Sequence, residues 1–310
     1  MNVVLTSVGI LFSLVFVGYV IGKRGIVRQD CAPDLSNLIL RVTMPVTVFC
    51  SMVGQEDLSL LGQIWKMVLM ALIFHLVSWG IGLWVVKALK IPQKEQGIWI
   101  FNCMFSNNGF MGFPLALSLW GSDGLFLMAI ANMVTNFFIF SVGLKALTRY
   151  YPVKEKINIR KMFVNNLNIA VVIGFVCYLL QLRLPQVVLD GLGYLAEITA
   201  GLSMLVVGLS LSRMRFRSVF ENKKIFLLAV IRLLLLPLLC IGVLRVLPLK
   251  LDPMLELILI LMSALPAASS QTILTEQYKT NTQDASRSIL VTTLLCVGTI
   301  PLVMKLSGLL

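Results

Sequence analysis

The chain contains ten apolar runs of about twenty residues, each long enough to cross a lipid bilayer as an α-helix. A helix rises 1.5 Å per residue, so a hydrocarbon core of about 30 Å needs about 20 residues. The runs lie near residues 3–22, 33–53, 63–86, 95–119, 124–147, 166–182, 187–211, 223–246, 253–275 and 284–306. This pattern predicts an all-α integral membrane protein with ten transmembrane helices.

The composition agrees with a membrane protein and sets aside other classes. The chain is 58% hydrophobic and 13% charged, with a mean hydropathy of +0.92, whereas soluble domains average about 25% charged residues. A net charge of +12 would suggest nucleic-acid binding in a soluble protein. Here the basic residues lie mostly in the connections between apolar runs, which predicts the bilayer as a partner and no nucleic acid.

The distribution of lysine and arginine predicts the orientation of the chain. Between these runs, the odd-numbered connections hold fifteen of these residues and the even-numbered connections hold two. Basic connections stay in the cytoplasm, so ten spans place both termini outside the cell (inner) membrane. The first run follows no basic residue and precedes Lys23 and Arg24, which predicts an uncleaved span and not a signal peptide.

The longest connection divides the chain into two halves of five spans each. It covers residues 148–165, a cytoplasmic connecting loop between a first half at 1–147 and a second half at 166–310. An odd number of spans per half means that the halves enter the membrane from opposite sides. We therefore predict two inverted five-helix repeats, a common plan among secondary transporters.

The fourth run is interrupted by the sequence SNNGFMGFP at residues 106–114. Gly109 and Pro114 disfavour a continuous helix, and Asn107 and Asn108 place two amides where hydrocarbon is expected. Broken helix within a membrane is tolerated only against protein or a wet cavity. The run predicts a substrate-binding break in span four, against the alternative of a packed kink whose amides only satisfy freed carbonyls.

A second proline-centred run lies 152 residues downstream, in span nine. It is SALPAASSQ at residues 263–271 and contains Pro266, Ser269, Ser270 and Gln271. Counted from the span ends, Asn107 lies ~17 Å and Pro266 ~20 Å into the bilayer. We expect half-helices to begin near the midplane at Pro114 and Pro266, with N–H groups and positive dipole ends suited to a carboxylate. The serines could instead bond to a carbonyl one turn back.

Other polar residues within the runs are secondary candidates. Asn132 and Asn136 are four apart and share a helical face, where they line the cavity or join span five to a neighbour. Arg41 attracts the anion, pairs with Glu197 or extends toward the lipid headgroups. Glu197 is the carboxylate placed to couple transport to protons, and Arg232 has a coupling, pairing or headgroup role.

Several kinds of site are not expected. The six cysteines are scattered without metal-ligand spacing, so neither a metal nor a disulfide framework is predicted, and no cofactor is. An intramembrane enzyme would need a serine–histidine pair or two aspartates at membrane depth. The single histidine, His75, fits a packed residue better than a proton relay, so we predict that the protein is not an enzyme.

The whole chain resembles the auxin efflux carrier family, in its bacterial malate/malonate-permease-like branch. The resemblance is carried by the segment 107–114, the run 265–268 followed by Tyr278, the pair 285–286, the stretch 292–301, and Arg232 with the pair 236–237. It implies that the broken helices four and nine cross, and that the protein carries small organic anions such as malate or malonate by an elevator-like alternating access.

Two further expectations rest on the same resemblance and on fold analogy. The substrate is expected to be a small carboxylate, and a homodimer is expected from analogy with the fold. A channel or a membrane ligand-sensing protein of the same fold is the alternative, because broken helices also occur in channels.

Overall fold

The computed structural model describes residues 2–28, 31–53, 55, 58–152, 165–214, 216–246 and 251–309, and they fold into helices. No strand occurs among these residues, apart from one isolated bridge between Ser106 and Ala267. The helices are α1 (Asn2–Lys23), α2 (Cys31–Leu38), α3 (Met44–Val53), α4 (Leu61–Ala88), α5 (Gln93–Met104), α6 (Phe113–Phe138), α7 (Leu144–Thr148), α8 (Asn166–Leu179), α9 (Gln186–Arg213), α10 (Lys224–Val230), α11 (Leu236–Val246), α12 (Pro253–Ala264), α13 (Ser270–Gln277) and α14 (Thr282–Leu306).

Seven helical stretches in the described residues are long and apolar enough to cross a membrane, judged by length and composition. They are Val3–Lys23, Cys31–Val53, Leu58–Ala88, Asn108–Thr148, Gln186–Arg213, Lys224–Val246 and Thr282–Leu306. Helices α8 and α12 are apolar but shorter. The chain is therefore a helical, multi-pass membrane protein, and a total of ten spans stays a prediction.

The stretch Asn108–Thr148 is 41 residues long and contains a turn. Gly121 interrupts α6 with φ 63° and ψ −151°, a backbone conformation that side chains with a Cβ rarely adopt. This turn falls between the predicted fourth and fifth spans, so one nominal helix holds the end of one predicted span and the start of the next.

In the described ranges, three π turns stand ahead of a proline, and two of them lie inside a helix, whereas the third, Asn108–Gly112, begins the helical stretch that contains Pro114. The turn Ile39–Thr43 precedes Pro45, and the turn Ile231–Leu235 precedes Pro237. A proline inside a helix lacks the N–H and its ring meets the carbonyl four residues earlier, and a π turn accommodates such an interruption. The arginines at positions 41 and 232 lie within these two turns.

The chain forms two compact units, and the first consists of Met1–Met67, Gly109–Met133 and Phe163–Met214. Within it, α1 packs very closely against α9. A Cβ at Gly18 would overlap the Leu205 carbonyl, and a Cβ at Gly208 would overlap the Val15 carbonyl. Small residues allow the two backbones to approach this closely. In lipid the hydrophobic effect does not drive helices together, so close packing of this kind holds them instead.

The second unit consists of Val68–Asn108, Val134–Met162 and Arg215–Leu310. It contains α5 together with α12 and α13, the elements around both predicted breaks. Each unit takes segments from both predicted halves, 1–147 and 166–310, so the halves are not the compact units. Their relation as inverted repeats stays a prediction, and most of the predicted loop 148–165 (153–164) lies outside the described residues.

Candidate functional site

The second unit contains two interrupted helices whose breaks contact each other. Helix α5 ends at Met104, and Phe105 is extended with φ −123° and ψ 131°. Ser106 forms an antiparallel bridge with Ala267, and the Asn107 N–H donates to the Pro266 carbonyl at 2.9 Å. Backbone groups that leave one helix are thereby satisfied by the other break, as an apolar environment requires.

The helices resume at positions that differ from the prediction. We expected half-helices to begin at Pro114 and Pro266, but helical structure resumes at Asn108, in the π turn Asn108–Gly112, and at Ser270. The α-helix α6 itself begins at Phe113, one residue from the predicted start at Pro114, whereas the predicted start at Pro266 is wrong by four residues. Pro114 lies in the first turn of α6, and Pro266 lies four residues before α13, where the preceding Leu265 is extended (φ −65°, ψ 151°) as the proline ring favours.

The two adjacent asparagines connect the breaks to each other and to α6. Asn107 Nδ2 donates to Ser269 Oγ at 3.1 Å, across the two breaks. Asn108 Oδ1 accepts from Ser106 Oγ at 2.8 Å, and Asn108 Nδ2 donates to Thr135 Oγ1 at 3.2 Å. We call Ser106, Asn107, Asn108, Thr135 and Ser269 the crossing cluster. Its asparagines are only 5% and 1% exposed, so the cluster is a buried polar site.

Arg232 is fully buried and binds the backbone at the ends of both interrupted helices. Its Nε donates to the Leu265 carbonyl at 3.2 Å, its Nη2 to the Met262 carbonyl at 3.2 Å, and its Nη1 to the Cys103 carbonyl at 3.5 Å. These carbonyls lie at or next to the C-terminal ends of α5 and α12. Carbonyl groups at a helix C-terminus carry partial negative charge, so one guanidinium compensates both helix ends.

Gln271 makes its hydrogen bonds to α5 and α14. Its Nε2 donates to the Ile98 carbonyl at 3.2 Å, and its Oε1 accepts from Asn102 Nδ2 at 3.0 Å and from Ser288 Oγ at 3.3 Å. Ser270, the first residue of α13, is half-buried, and its Oγ has no hydrogen-bond partner among the described residues. Pro266 itself is buried in the break.

Several other predicted site residues belong to the first unit. Gly109 and Pro114 follow the span-four break, and Asn132 is buried in α6. Arg41 is exposed, and its carbonyl accepts from Asn166 Nδ2 at 2.8 Å. Each of these residues was predicted from the sequence to contribute to the substrate site, and that role remains a prediction.

Glu197 is exposed on α9. In the described part of the chain the ion pairs are those of Arg287 with Asp284 and with Glu221. The structure therefore does not join Glu197 to Arg41, which was one of the roles considered for that arginine.

Asn136 is half-buried on α6 and belongs to the second unit, four residues beyond Asn132.

Several polar residues of the second unit were not predicted. Thr135 bonds to Asn108, Thr292 Oγ1 accepts from the Ala267 N–H at 3.0 Å, and Asn102 and Ser288 bond to Gln271. Each is a neutral polar residue that could equally have bonded to a carbonyl of its own helix. The spacing of four between Ser288 and Thr292 was the only sign that they share a face.

Comparison with known proteins identifies the family. The family model described as membrane transport protein matches residues 3–158 and 151–304. An uncharacterized transporter of Methanocaldococcus jannaschii is 26% identical over 210 residues, covering 66% of this chain and 67% of the relative. An uncharacterized transporter of Methanothermobacter thermautotrophicus is 25% identical over 290 residues, covering 93% of both chains.

The two matched segments cover nearly all of the chain and confirm the family that the sequence resembles. Membrane transport is not an enzymatic activity, so the family agrees with the prediction that the protein is not an enzyme. The chain belongs to the family of membrane transport proteins known as the auxin efflux carrier family.

Proposed function

We propose that this protein is a secondary transporter that moves small organic anions across the cell membrane by alternating access. Carboxylates such as malate or malonate are the proposed substrates. The observation that carries the proposal is the contact between two interrupted helices in the second unit, where Asn107 bonds to Ser269 across the breaks. Transporters place substrate sites at such breaks, because irregular backbone within a membrane is tolerated where it lines a cavity.

The proposed architecture has ten spans in two inverted repeats, with both termini outside. The bridge between Ser106 and Ala267 is antiparallel, which supports opposite directions for the two interrupted spans. The breaks lie in the fourth and ninth runs, at equivalent positions of the two halves. The order of the runs and the basic connections between them support the same topology.

The crossing cluster supports an anionic substrate. The helices resume at Asn108 and at Ser270, where N–H groups and positive dipole ends favour a carboxylate. The Ser270 hydroxyl has no partner among the described residues and can donate to a substrate oxygen. Arg232 already binds three carbonyls, so we assign it to the support of the breaks.

The remaining candidates are proposed to act within their own units. In the first unit, Gly109 and Pro114 allow the chain to leave the break, Asn132 contacts the substrate and Arg41 attracts the anion. In the second unit, Asn136 contacts the substrate. Pro266 and Gln271 shape the second break. Glu197 is the proposed coupling carboxylate of the first unit.

Transport by purified protein in liposomes tests the proposal. We expect Asn107→Leu and Asn108→Leu to abolish uptake of labelled malate or malonate in protein that is folded and inserted. The control is Asn168→Leu, which removes a buried asparagine of α8 outside the proposed site. Unchanged uptake in the two site variants would refute the site assignment.

The kinetics of the same uptake separate a carrier from the alternatives. A carrier gives saturable flux that is stimulated by substrate on the opposite side of the membrane. Flux that rises linearly with concentration would indicate a channel, and ligand binding without flux would indicate a ligand-sensing protein. A thermal-shift screen with dicarboxylates, monocarboxylates and indolic acids would narrow the substrate class, because a ligand that binds the folded state raises the unfolding temperature.

A further inference from the structure

A short connection between two membrane-length helical stretches carries basic and aromatic side chains. The stretches are Gln186–Arg213 and Lys224–Val246, so ten residues separate them. Six of the ten form a 3₁₀ helix, Phe216–Glu221, which rises only about 2 Å per residue. The connection is therefore shorter than a hydrocarbon core of about 30 Å and stays at one membrane surface. We call residues 216–226, which belong to the second unit, the surface segment.

The surface segment exposes aromatic and basic side chains together. The exposed residues of these two kinds are Phe216, Arg217, Phe220, Lys223, Lys224 and Phe226. Phe220 is 68% exposed, and its ring contacts that of Phe226 with centroids 5.8 Å apart. Basic residues combined with exposed phenylalanines are typical of segments that lie in a membrane interface, where the rings meet the acyl chains and the charges meet the headgroups.

The opposite side of the surface segment is held by the second unit. Val219 and Ile225 are buried, and the 3₁₀ helix packs against α14. Asn222 Nδ2 also donates to Asp284 Oδ1 at 3.3 Å, in the first turn of α14. These contacts fix the orientation of the segment, so that the rings and the basic side chains remain on its outer side.

The positive charge of the surface segment is not balanced within it. Glu221 is its only acidic residue and pairs with Arg287 of α14. In the described ranges, Arg217 and Lys223 take part in no ion pair. With the two arginines just before the segment in the sequence, five basic residues lie close to the start of α10, within the range of four to eight that attracts anionic lipids beside a transmembrane helix.

We propose that the surface segment binds anionic phospholipids of the adjacent membrane leaflet. Arg217 and Lys223 bind the lipid phosphates, the arginine through paired hydrogen bonds and the lysine as a point charge. Phe220 and Phe226 enter the acyl-chain region beside them. The predicted orientation makes this the cytoplasmic leaflet. The inference requires only that the chain spans a membrane and does not depend on which solute is carried.

A phospholipid fits this surface better than a soluble anion does. Inorganic phosphate could bind the basic residues, but it would leave the ring of Phe220 in water. A phospholipid supplies both a phosphate and an apolar chain, and the helical stretches on either side hold the segment where both occur. A lipid therefore matches the surface in charge and in apolar character.

Hydrogen–deuterium exchange of the full chain in lipid nanodiscs measures the contact. Nanodiscs of phosphatidylcholine are compared with nanodiscs that contain increasing amounts of phosphatidylglycerol. We expect the backbone amides of 216–226 to exchange at least about tenfold more slowly, with saturation, as phosphatidylglycerol increases. The connection 180–185 exposes two leucines but contains a single basic residue, and its exchange should not change. Equal exchange of 216–226 in both lipids would overturn the proposal, and so would equal slowing by inorganic phosphate in phosphatidylcholine nanodiscs.

Matched double variants test the basic residues. Arg217→Gln with Lys223→Gln removes two exposed charges of the segment, and we expect the slowing by phosphatidylglycerol to be lost. Arg183→Gln with Lys305→Gln removes two exposed charges elsewhere and should retain the slowing. Loss in both double variants, or in neither, would overturn the assignment to this segment.

Phe220→Trp tests the depth of the ring. Because the side chain is exposed, the larger ring needs no room in the core. We expect the fluorescence that this tryptophan adds to the five native ones to be quenched by phosphatidylcholine brominated on its acyl chains and protected from iodide in the buffer. Quenching by iodide and not by the brominated lipid would overturn the insertion of the ring.

Discussion

The guanidinium of Arg232 and the carbonyl of Leu265 lie 3.2 Å apart in the buried interior of the second unit. Through Cys103 the same side chain also reaches the end of the other interrupted helix. An intramembrane arginine is commonly considered for substrate or proton coupling. Its contacts here favour a structural role, because each of its three nitrogens faces a backbone carbonyl.

Replacement of Arg232 should therefore lower the stability of the folded protein more than it changes the substrate preference. Arg232→Ala leaves three buried carbonyls without this donor, at about 1–3 kcal/mol each, and we expect a large loss of unfolding temperature. Arg232→Lys keeps the charge but cannot span the same carbonyls with a planar fork, so an intermediate loss is expected. Thermal unfolding in detergent provides the measurement.

A surface arginine provides the control for that series. Arg245 is exposed and donates to the Leu306 and Ser307 carbonyls at the end of α14. Arg245→Ala should change stability by no more than about 0.5 kcal/mol. Equal effects of the two alanine substitutions would contradict the role assigned to Arg232.

The sequence was sufficient to predict the positions of both breaks. Adjacent amides at 107–108 are conspicuous in an apolar run because hydrocarbon offers them no hydrogen-bond partner, and a proline at 266 is conspicuous because it interrupts a helix. The π turn that begins at Asn108 and the start of α13 at Ser270 were not predictable from the proline positions. The Asn107 N–H and the Pro266 carbonyl satisfy each other, so the break is fixed by pairing between distant segments, which local helix propensities do not report.

The partners of the polar side chains were also beyond sequence reasoning. Arg232 binds carbonyls, and every residue has a carbonyl, so no residue type signals the contact. Thr135, Asn102 and Ser288 are neutral residues of a kind that often bonds within its own helix, and Asn102 and Ser288 also make such bonds, to the Ile98 and Ala285 carbonyls. Only the packing of α5, α13 and α14 distinguishes a residue that joins helices from one that does not.

The bond between Asn108 and Thr135 should be necessary for transport. Thr135→Val keeps the shape of the side chain but removes the acceptor at 3.2 Å from Asn108 Nδ2. The Asn108 amide then loses its fixed orientation. A loss of about 1.4 kcal/mol of substrate-binding free energy corresponds to a tenfold weaker affinity. We expect initial uptake in liposomes to fall about tenfold in Thr135→Val and to stay near wild type in Thr135→Ser. Equal uptake by both variants would show that the hydroxyl is not required.

The packing of α1 against α9 should depend on two specific glycines. Gly18→Ala and Gly208→Ala place a methyl group on the Leu205 and Val15 carbonyls, and overpacking of this kind costs about 1–3 kcal/mol. We expect both variants to unfold at lower temperature.

The same two helices contain matched controls for these glycines. A Cβ at Gly9 in α1 or at Gly201 in α9 would meet nothing within 4 Å, and alanine favours a helix by up to about 1 kcal/mol over glycine. Gly9→Ala and Gly201→Ala should therefore leave the unfolding temperature unchanged or slightly raised. A loss of stability in the controls equal to that in the packed positions would contradict the close approach of α1 and α9.

His75 should act as a packed residue and not as a proton relay. It is buried, its Nδ1 lies 2.7 Å from the Ala71 carbonyl, and its ring stacks on Phe138 with centroids 5.1 Å apart and planes at 12°. Its ring also lies 5.8 Å from that of Phe105. His75→Phe keeps the ring contacts and removes one hydrogen bond, which contributes about 0.5–1.5 kcal/mol. We expect a modest fall in unfolding temperature and the same dependence of liposome uptake on pH as in wild type. Uptake that disappears or loses its pH dependence in a stably folded His75→Phe protein would instead establish a relay, because phenylalanine can pack but cannot exchange a proton.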